Sequence, residues 1–173
     1  MTRVVAGDEA AFVQLVHLLR GPALRLATRV LGDAGEGEDA VQAALTKLWT
    51  RAHVFDPGRG SIESWFARMV VNCALDRRRS IRPVAPLETA GDRADPCAGP
   101  AEQAEGQDEA SSVRAAIARL NPRQRAAVLL FYGEDATTAQ VAEALDTTPK
   151  AVEGLLARAR SELKRMLAVT RSG

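Results

Sequence analysis

The chain has 173 residues, 46% of them hydrophobic and only 4% aromatic, and its 23 Lys and Arg nearly balance its 22 Asp and Glu. That suits one medium or two small helical domains and not a β-rich architecture. No apolar run reaches the roughly 18 residues of a spanning helix, and the opening MTRVVAGDEAAF lacks the apolar core of a signal peptide, so a cytoplasmic protein without membrane insertion is expected.

The first element, DEAAFVQLVHLL, carries Phe12, Leu15, Val16 and Leu19 at helical spacing. Gly21-Pro22 interrupts it before ALRLATRVLG resumes, which predicts a kinked or broken helix. GEGEDAVQAALTKLWTRA follows, with Glu36, Glu38 and Asp39 in its first turn, where the helix dipole favours acids, and an apolar stripe of Val41, Leu45, Leu48 and Trp49. A DPGRGS turn with Ser61 as N-cap then leads into WFARMVVNCALDRRRS.

On a helical wheel, Ile62, Trp65, Phe66, Met69, Val70 and Cys73 share one broad face of that helix, yet Val71 and Leu75 fall nearly opposite. Either the helix sits between others, or one side is a binding surface. Arg68, Asn72 and Arg79 cluster around Trp65 along one edge. An indole, a carboxamide and two guanidiniums can stack a base, read its polar edge and hold phosphates; Trp65 taken by itself reads first as a core position. The closing run Arg77, Arg78, Arg79 complements the helix dipole and can also face phosphates.

Charge is uneven along the chain. Residues 1–82 carry twelve basic against nine acidic side chains, residues 83–112 one against seven, and residues 113–173 ten against six. The middle block is rich in Pro, Gly, Ala and acid and has hardly a large apolar side chain, the composition of a flexible acidic linker that cannot form a core. Cys73 and Cys97 lie in unlike contexts and support no disulfide framework, and with only His17 and His53 beside them no metal site and no cofactor are expected. No Ser/His/Asp, Cys/His or paired-carboxylate constellation suggests an enzyme.

In the last block, LNPRQRAAVLLFY opens on an Asn-Pro pair that reads as N-cap and first helical residue, with Val128, Leu129 and Phe131 following. Thr137 with Gln140 has the form of a capping box and opens a short helix through Val141 and Leu145. Asp146-Thr147-Thr148 forms a turn, and Thr148-Pro149 starts a longer helix, which completes a helix-turn-helix. In that last helix Val152, Leu155, Leu156, Ala159, Leu163 and Leu167 form one stripe, with Lys150, Gly154, Ala157, Ser161 and Arg165 opposite and Glu153 and Arg158 flanking. The outward face is small near its N-terminus and basic further on, which lets a backbone approach the major groove. A solvated surface helix with an ion pair such as Glu162 to Arg158 is the alternative.

Taken in order, EDAVQAALTKLW, WFARMVVNCALDRRR and, across the linker, LNPRQRAAVLLFY with QVAEALDTTPKAVEGLLARARSEL resemble the extracytoplasmic-function (ECF) sigma factors of bacterial RNA polymerase over nearly the whole chain. The resemblance implies an all-α fold: an N-terminal helical bundle, residues 1–82, that binds core polymerase and melts the minus-ten promoter element, the linker 83–112, and a helix-turn-helix domain, residues 113–173, that reads the minus-thirty-five element. It places Asp39 and Gln42 on the polymerase clamp and HVFDPGRGS around a flipped minus-ten base. Asn72, Asp76, Arg78 and Arg79 match the helix beside that loop, where the residues' own chemistry adds Trp65, Arg68 and Arg77. Glu153, Gly154, Ala157 and Arg158 match the minus-thirty-five face, to which the helix's own chemistry adds Lys150. The implied partners are core RNA polymerase, promoter DNA and an anti-sigma factor. Val71 stands where the family usually has Arg, and Asp146 replaces the usual turn Gly, although Asp tolerates a left-handed backbone better than most residues. A sigma-like decoy that sequesters an anti-sigma factor and a stand-alone helix-turn-helix repressor are the other readings.

Overall fold

In the computed structural model residues 1–81 and 108–170 are described, and these form only helices and turns. Residues 83–107 of the expected linker, with Cys97, lie outside the described residues.

After a short α1 (Thr2–Val5), α2 (Glu9–Leu31) starts where the Asp8 carboxylate accepts the Ala11 amide at 2.9 Å, and ends at Gly32, whose φ of 81° is the left-handed stop that glycine adopts without strain. It is one helix and not two, so of the kink or break expected at Gly21-Pro22 the break does not occur. Both residues face solvent, where the carbonyl that loses its partner to Pro22 meets water, and the buried stripe of Leu19, Ala23, Leu26, Ala27 and Val30 runs through in register. α3 (Ala34–Arg51) is capped by Asp33, which accepts the Glu36 amide at 2.8 Å. Gly37 is buried there because a Cβ would lie 2.8 Å from Thr28 Oγ1 and 3.1 Å from its backbone nitrogen; glycine lets α3 approach α2 this closely. Two 3-10 turns, Ala52–Val54 and Pro57–Arg59, lead to α4 (Ile62–Ile81), whose start the Ser61 hydroxyl caps at the Ser64 amide, 3.1 Å. Leu48, Phe66, Val70 and Ala74 close the core between α2, α3 and α4.

The helices of the second domain follow. α5 (Asp108–Ala118) takes in residues 108–112, which composition assigns to the linker. α6 (Pro122–Val128) opens on the expected Asn121-Pro122 pair, and Asn121 with Gln124 makes a reciprocal capping box. The helix then widens into a π turn, Leu129–Gly133, which periodicity does not foretell. α7 (Thr138–Ala144) carries the Thr137/Gln140 box, and α8 (Pro149–Thr170) follows a turn in which Asp146 takes φ 50°. The Thr148 hydroxyl caps α8 at the Ala151 amide, 3.2 Å.

The two domains share one continuous apolar core. Val71 and Leu75, on the second face of α4, are as buried as Phe66 and Val70 on the first, because α4 is covered by α2 and α3 on one side and by α7 and α6 on the other. The helix therefore sits between others in this arrangement. A buried arginine ties the halves together. Arg125 is only 5% exposed, and its guanidinium donates to the Arg29 and Val30 carbonyls of α2, both at 3.2 Å, and to the Ala118 and Leu120 carbonyls at 2.5 and 2.9 Å. These carbonyls lie at the end of α2, at the last residue of α5 and, for Leu120, in the turn that follows it, where backbone acceptors lack helical partners and a cation is favoured.

Candidate nucleic-acid interface

Along α4, residues 68, 71, 72, 75 and 79 fall on one stripe by their three- and four-residue spacing. Asn72 is half-buried and donates its amide to the Ala144 carbonyl of α7 at 3.3 Å. Arg68, one turn earlier, is half-buried with Nη1 lacking a hydrogen-bond partner among the described residues, and burial pushes its pKa down from the usual arginine range. Trp65 is half-buried and tilts against Phe55 of the preceding turn, ring centroids 5.5 Å apart, so its indole contributes to the core and still keeps an exposed edge. Arg59 in that turn meets Glu143 of α7 at 3.6 Å, and its carbonyl accepts from Gln140 Nε2 at 3.0 Å.

The arginine run divides. Arg77 turns to α3, bonding to the Glu36 carboxylate and lying 2.6 Å from that of Asp39, and these two acids raise its pKa, the Glu36 hydrogen bond most. Arg79 is exposed, 3.5 Å from Asp76, and Arg78 is half-buried. Asp39 and Gln42 are both exposed on α3. Beside Asp39 a groove of about 350 Å³ runs between α3 and α4 past Lys47, Cys73, Asp76 and Ser80, and burial pushes the Cys73 thiol up.

On α8 the wheel holds. Val152, Leu156 and Ala159 are buried, while Lys150, Glu153, Ala157 and Arg158 are exposed and Gly154 is half-buried. Arg158 folds back towards Gly154, where an added Cβ would meet its guanidinium at 3.6 Å. Glu162 is engaged by Gln124 Nε2 at 2.8 Å. The sequence does not single out Arg125 or Glu143, and it offers Gln140 only as a cap and Arg59 only within the HVFDPGRGS loop; the one available signal is Arg125, a cation set at a buried helical position ahead of the apolar run AAVLLF. Among the described residues no group of three or more His, Cys, Asp or Glu could hold a metal ion, and no helix is long and apolar enough to cross a membrane.

A bundle whose fourth helix carries Trp65, Arg68 and Asn72, followed by a helix-turn-helix, matches two family models in the same order: residues 15–83 match Sigma-70 region 2, and residues 110–163 match Sigma-70, region 4. The chain is 34% identical over 171 residues to the ECF RNA polymerase sigma factor SigM of Mycobacterium tuberculosis (strain ATCC 25618 / H37Rv), a match that spans 98% of this chain and 83% of SigM. The chain belongs to the ECF RNA polymerase sigma factors. This sigma factor is thus a promoter-directing transcription initiation factor, in a family of regulatory DNA-binding proteins. Two solved structures share its fold. CnrH in complex with the cytosolic domain of CnrY is 25% identical, with a TM-score of 0.60 over 97% of this chain and 94% of that one. The sigma factor RpoE in complex with the anti-sigma factor NepR, from Bartonella quintana, is 19% identical, with a TM-score of 0.61 over 92% and 98%.

Proposed function

We propose that this sigma factor contacts its promoter through two separate surfaces: the Arg68–Asn72–Arg79 stripe of α4 with the preceding turn takes the unpaired minus-ten strand, and the outward face of α8 reads the minus-thirty-five duplex. The observation that carries the reading is the division of α8. Its apolar stripe is buried, and the opposite side offers small residues near the N-terminus with Lys150, Glu153 and Arg158 around them, a shape and charge suited to a major groove. Residues 1–82 serve polymerase and the minus-ten element, 113–173 the minus-thirty-five element, and 83–112 join them. Asp39 and Gln42 face the polymerase clamp. Arg78 and Arg79 hold phosphates, whereas Arg77 positions α3 on α4 through Glu36 and Asp39. An anti-sigma factor is the expected regulator, the cytoplasm the place of action, and no catalysis is assigned.

The test is transcription with purified core polymerase on a promoter library. Arg158→Ala removes a guanidinium able to reach a base edge and should relax minus-thirty-five preference by about 1 to 3 kcal/mol of discrimination. Asn72→Ala should slow promoter opening while association with core polymerase stays unchanged, because the lost contact is to DNA. An unchanged minus-thirty-five profile together with unchanged opening refutes both assignments and favours the decoy. Nanomolar sequence-specific binding by the protein alone would instead favour the repressor.

A further inference from the structure

Tyr132 is the one tyrosine of the chain and, among the described residues, the only large apolar side chain of the second domain that is strongly exposed, at 54%. The run before it, from Ala126 to Leu130, is buried without a break, and Phe131 is half-buried against the core. The π turn Leu129–Gly133 fits an extra residue into the helix, and the chain leaves the core with Tyr132 outside, its ring edge-on to Phe131 with centroids 4.9 Å apart. The Tyr132 hydroxyl accepts from Arg160 Nη1 of α8 at 3.4 Å. Both side chains are exposed, so this long bond adds little to stability and does not account for an aromatic ring turned out to water.

The place of the pair gives it a task. At about 100° per residue, Arg158 and Arg160 leave α8 about 200° apart, on the two flanks of its outward face. A helix with its side chains is about 10 to 12 Å across and the major groove about 12 Å wide, so each flank of an inserted helix lies against the phosphates of one strand. Arg158 serves one flank. On the other, Arg160 has no carboxylate partner among the described residues and has donors to spare beyond Tyr132, while the Tyr132 hydroxyl, whose oxygen Arg160 engages, still has a proton to give. Two donors on one edge, one of them charged, suit a single phosphate group, which takes such bonds from arginine and tyrosine alike. Glu134, the next acid in the chain, is half-buried with Arg29 of α2 near it and its carbonyl on Ser64 of α4, so it faces the first domain.

We propose that Tyr132 and Arg160 form a second contact of the C-terminal domain with DNA, a site for one backbone phosphate of the minus-thirty-five duplex on the flank of α8 opposite Arg158. The inference rests on the reading of α8 as the helix that enters the groove. Arg158 carries sequence preference, and the pair sets how the helix is seated, because a phosphate contact fixes register and orientation without reading a base. The π turn is the device that brings Tyr132 to that edge.

Holoenzyme made from purified core polymerase and the full chain tests this on a duplex promoter, the best-transcribed member of the promoter library. Arg160→Ala should weaken binding about tenfold and lower the slope of log affinity against log salt by about one, and Tyr132→Phe should weaken it about threefold at an unchanged slope, since it removes a neutral donor. Both variants should keep the wild-type minus-thirty-five preference, the unfolding midpoint and the affinity for core polymerase without DNA. Neutralising the phosphates one at a time as methylphosphonates locates the contact: one position should weaken the wild-type holoenzyme and cost the Arg160→Ala holoenzyme nothing further. Unaltered DNA affinity in either variant, an unaltered salt slope for Arg160→Ala, a methylphosphonate scan identical in the two proteins, or a loss that appears already in binding to core polymerase overturns the site. Arg158→Ala then separates the two failures: a relaxed minus-thirty-five profile leaves the reading of α8 standing and removes only the phosphate site, and an unchanged profile removes both.

Discussion

Replacing Arg125 by Met keeps an unbranched apolar stem and removes the donors. Four backbone carbonyls lose their partner, two on α2, one at the end of α5 and one in the turn after it. Hydrogen bonds to a charged donor contribute about 1.5 to 3 kcal/mol each, so the four together set an upper bound of about 6 to 12 kcal/mol. The guanidinium gives back several kcal/mol of that in lost hydration, because Arg125 is 5% exposed. The net loss should lie near 3 to 5 kcal/mol, the scale for removing one member of a buried polar cluster. Against a total stability of about 5 to 15 kcal/mol this is a large share. Equilibrium unfolding in urea measures it directly: the midpoint should fall by at least about 1 M at a slope of about 1 to 3 kcal/mol per M. Arg125→Lys should recover less than half, since a single ammonium cannot span carbonyls on two helices as a planar fork does. A loss under about 1 kcal/mol in the Met variant, or full recovery by Lys, would refute the account of Arg125 as the joint between the domains.

Gly37→Ala places a methyl group against the backbone of Thr28, so its stability should drop by about 1 to 3 kcal/mol in thermal unfolding despite alanine's better helix propensity, whereas exposed Gly35→Ala should not destabilise. Glu134 has its pKa raised by burial first and by Asp135 second, so its charge opposes folding; the penalty is absent below the ordinary glutamate value, grows as pH rises through it and is complete above the raised value. Glu134→Gln should therefore stabilise the protein near neutral pH by about a few tenths of a kcal/mol, screened because the residue is only half-buried, and a pH series of urea midpoints should show that gain vanish in acid. Asp146 sits at φ 50°, so Asp146→Ala should cost about 1 kcal/mol and Asp146→Gly close to nothing, compared by the same unfolding curves.

Much of the local structure is determined by the sequence alone, because the interactions that set it are short-range. Asn121 with Gln124 and Thr137 with Gln140 cap their helices within one turn, Thr148 caps α8, and the wheel of α8 separates Val152, Leu156 and Ala159 from Lys150 and Arg158 with no help from the rest of the fold. The all-helical class and the order of the helices follow from the same periodicity. Other features belong to the tertiary structure. Pro22 lies inside an unbroken helix because it faces solvent, which a pattern of apolar residues does not report. The second apolar face of α4 is compatible from sequence with either a partner or a neighbouring helix, and only the packing of α7 settles that it is buried within this arrangement. The three arginines at the end of α4 read alike in one dimension, yet Arg77 leaves the run for Glu36 and Asp39 because the helix turns it towards α3. Arg125 is the plainest case: the carbonyls at the end of α2 are 95 and 96 residues away from it in sequence, and only when the domains meet does burying that cation become favourable.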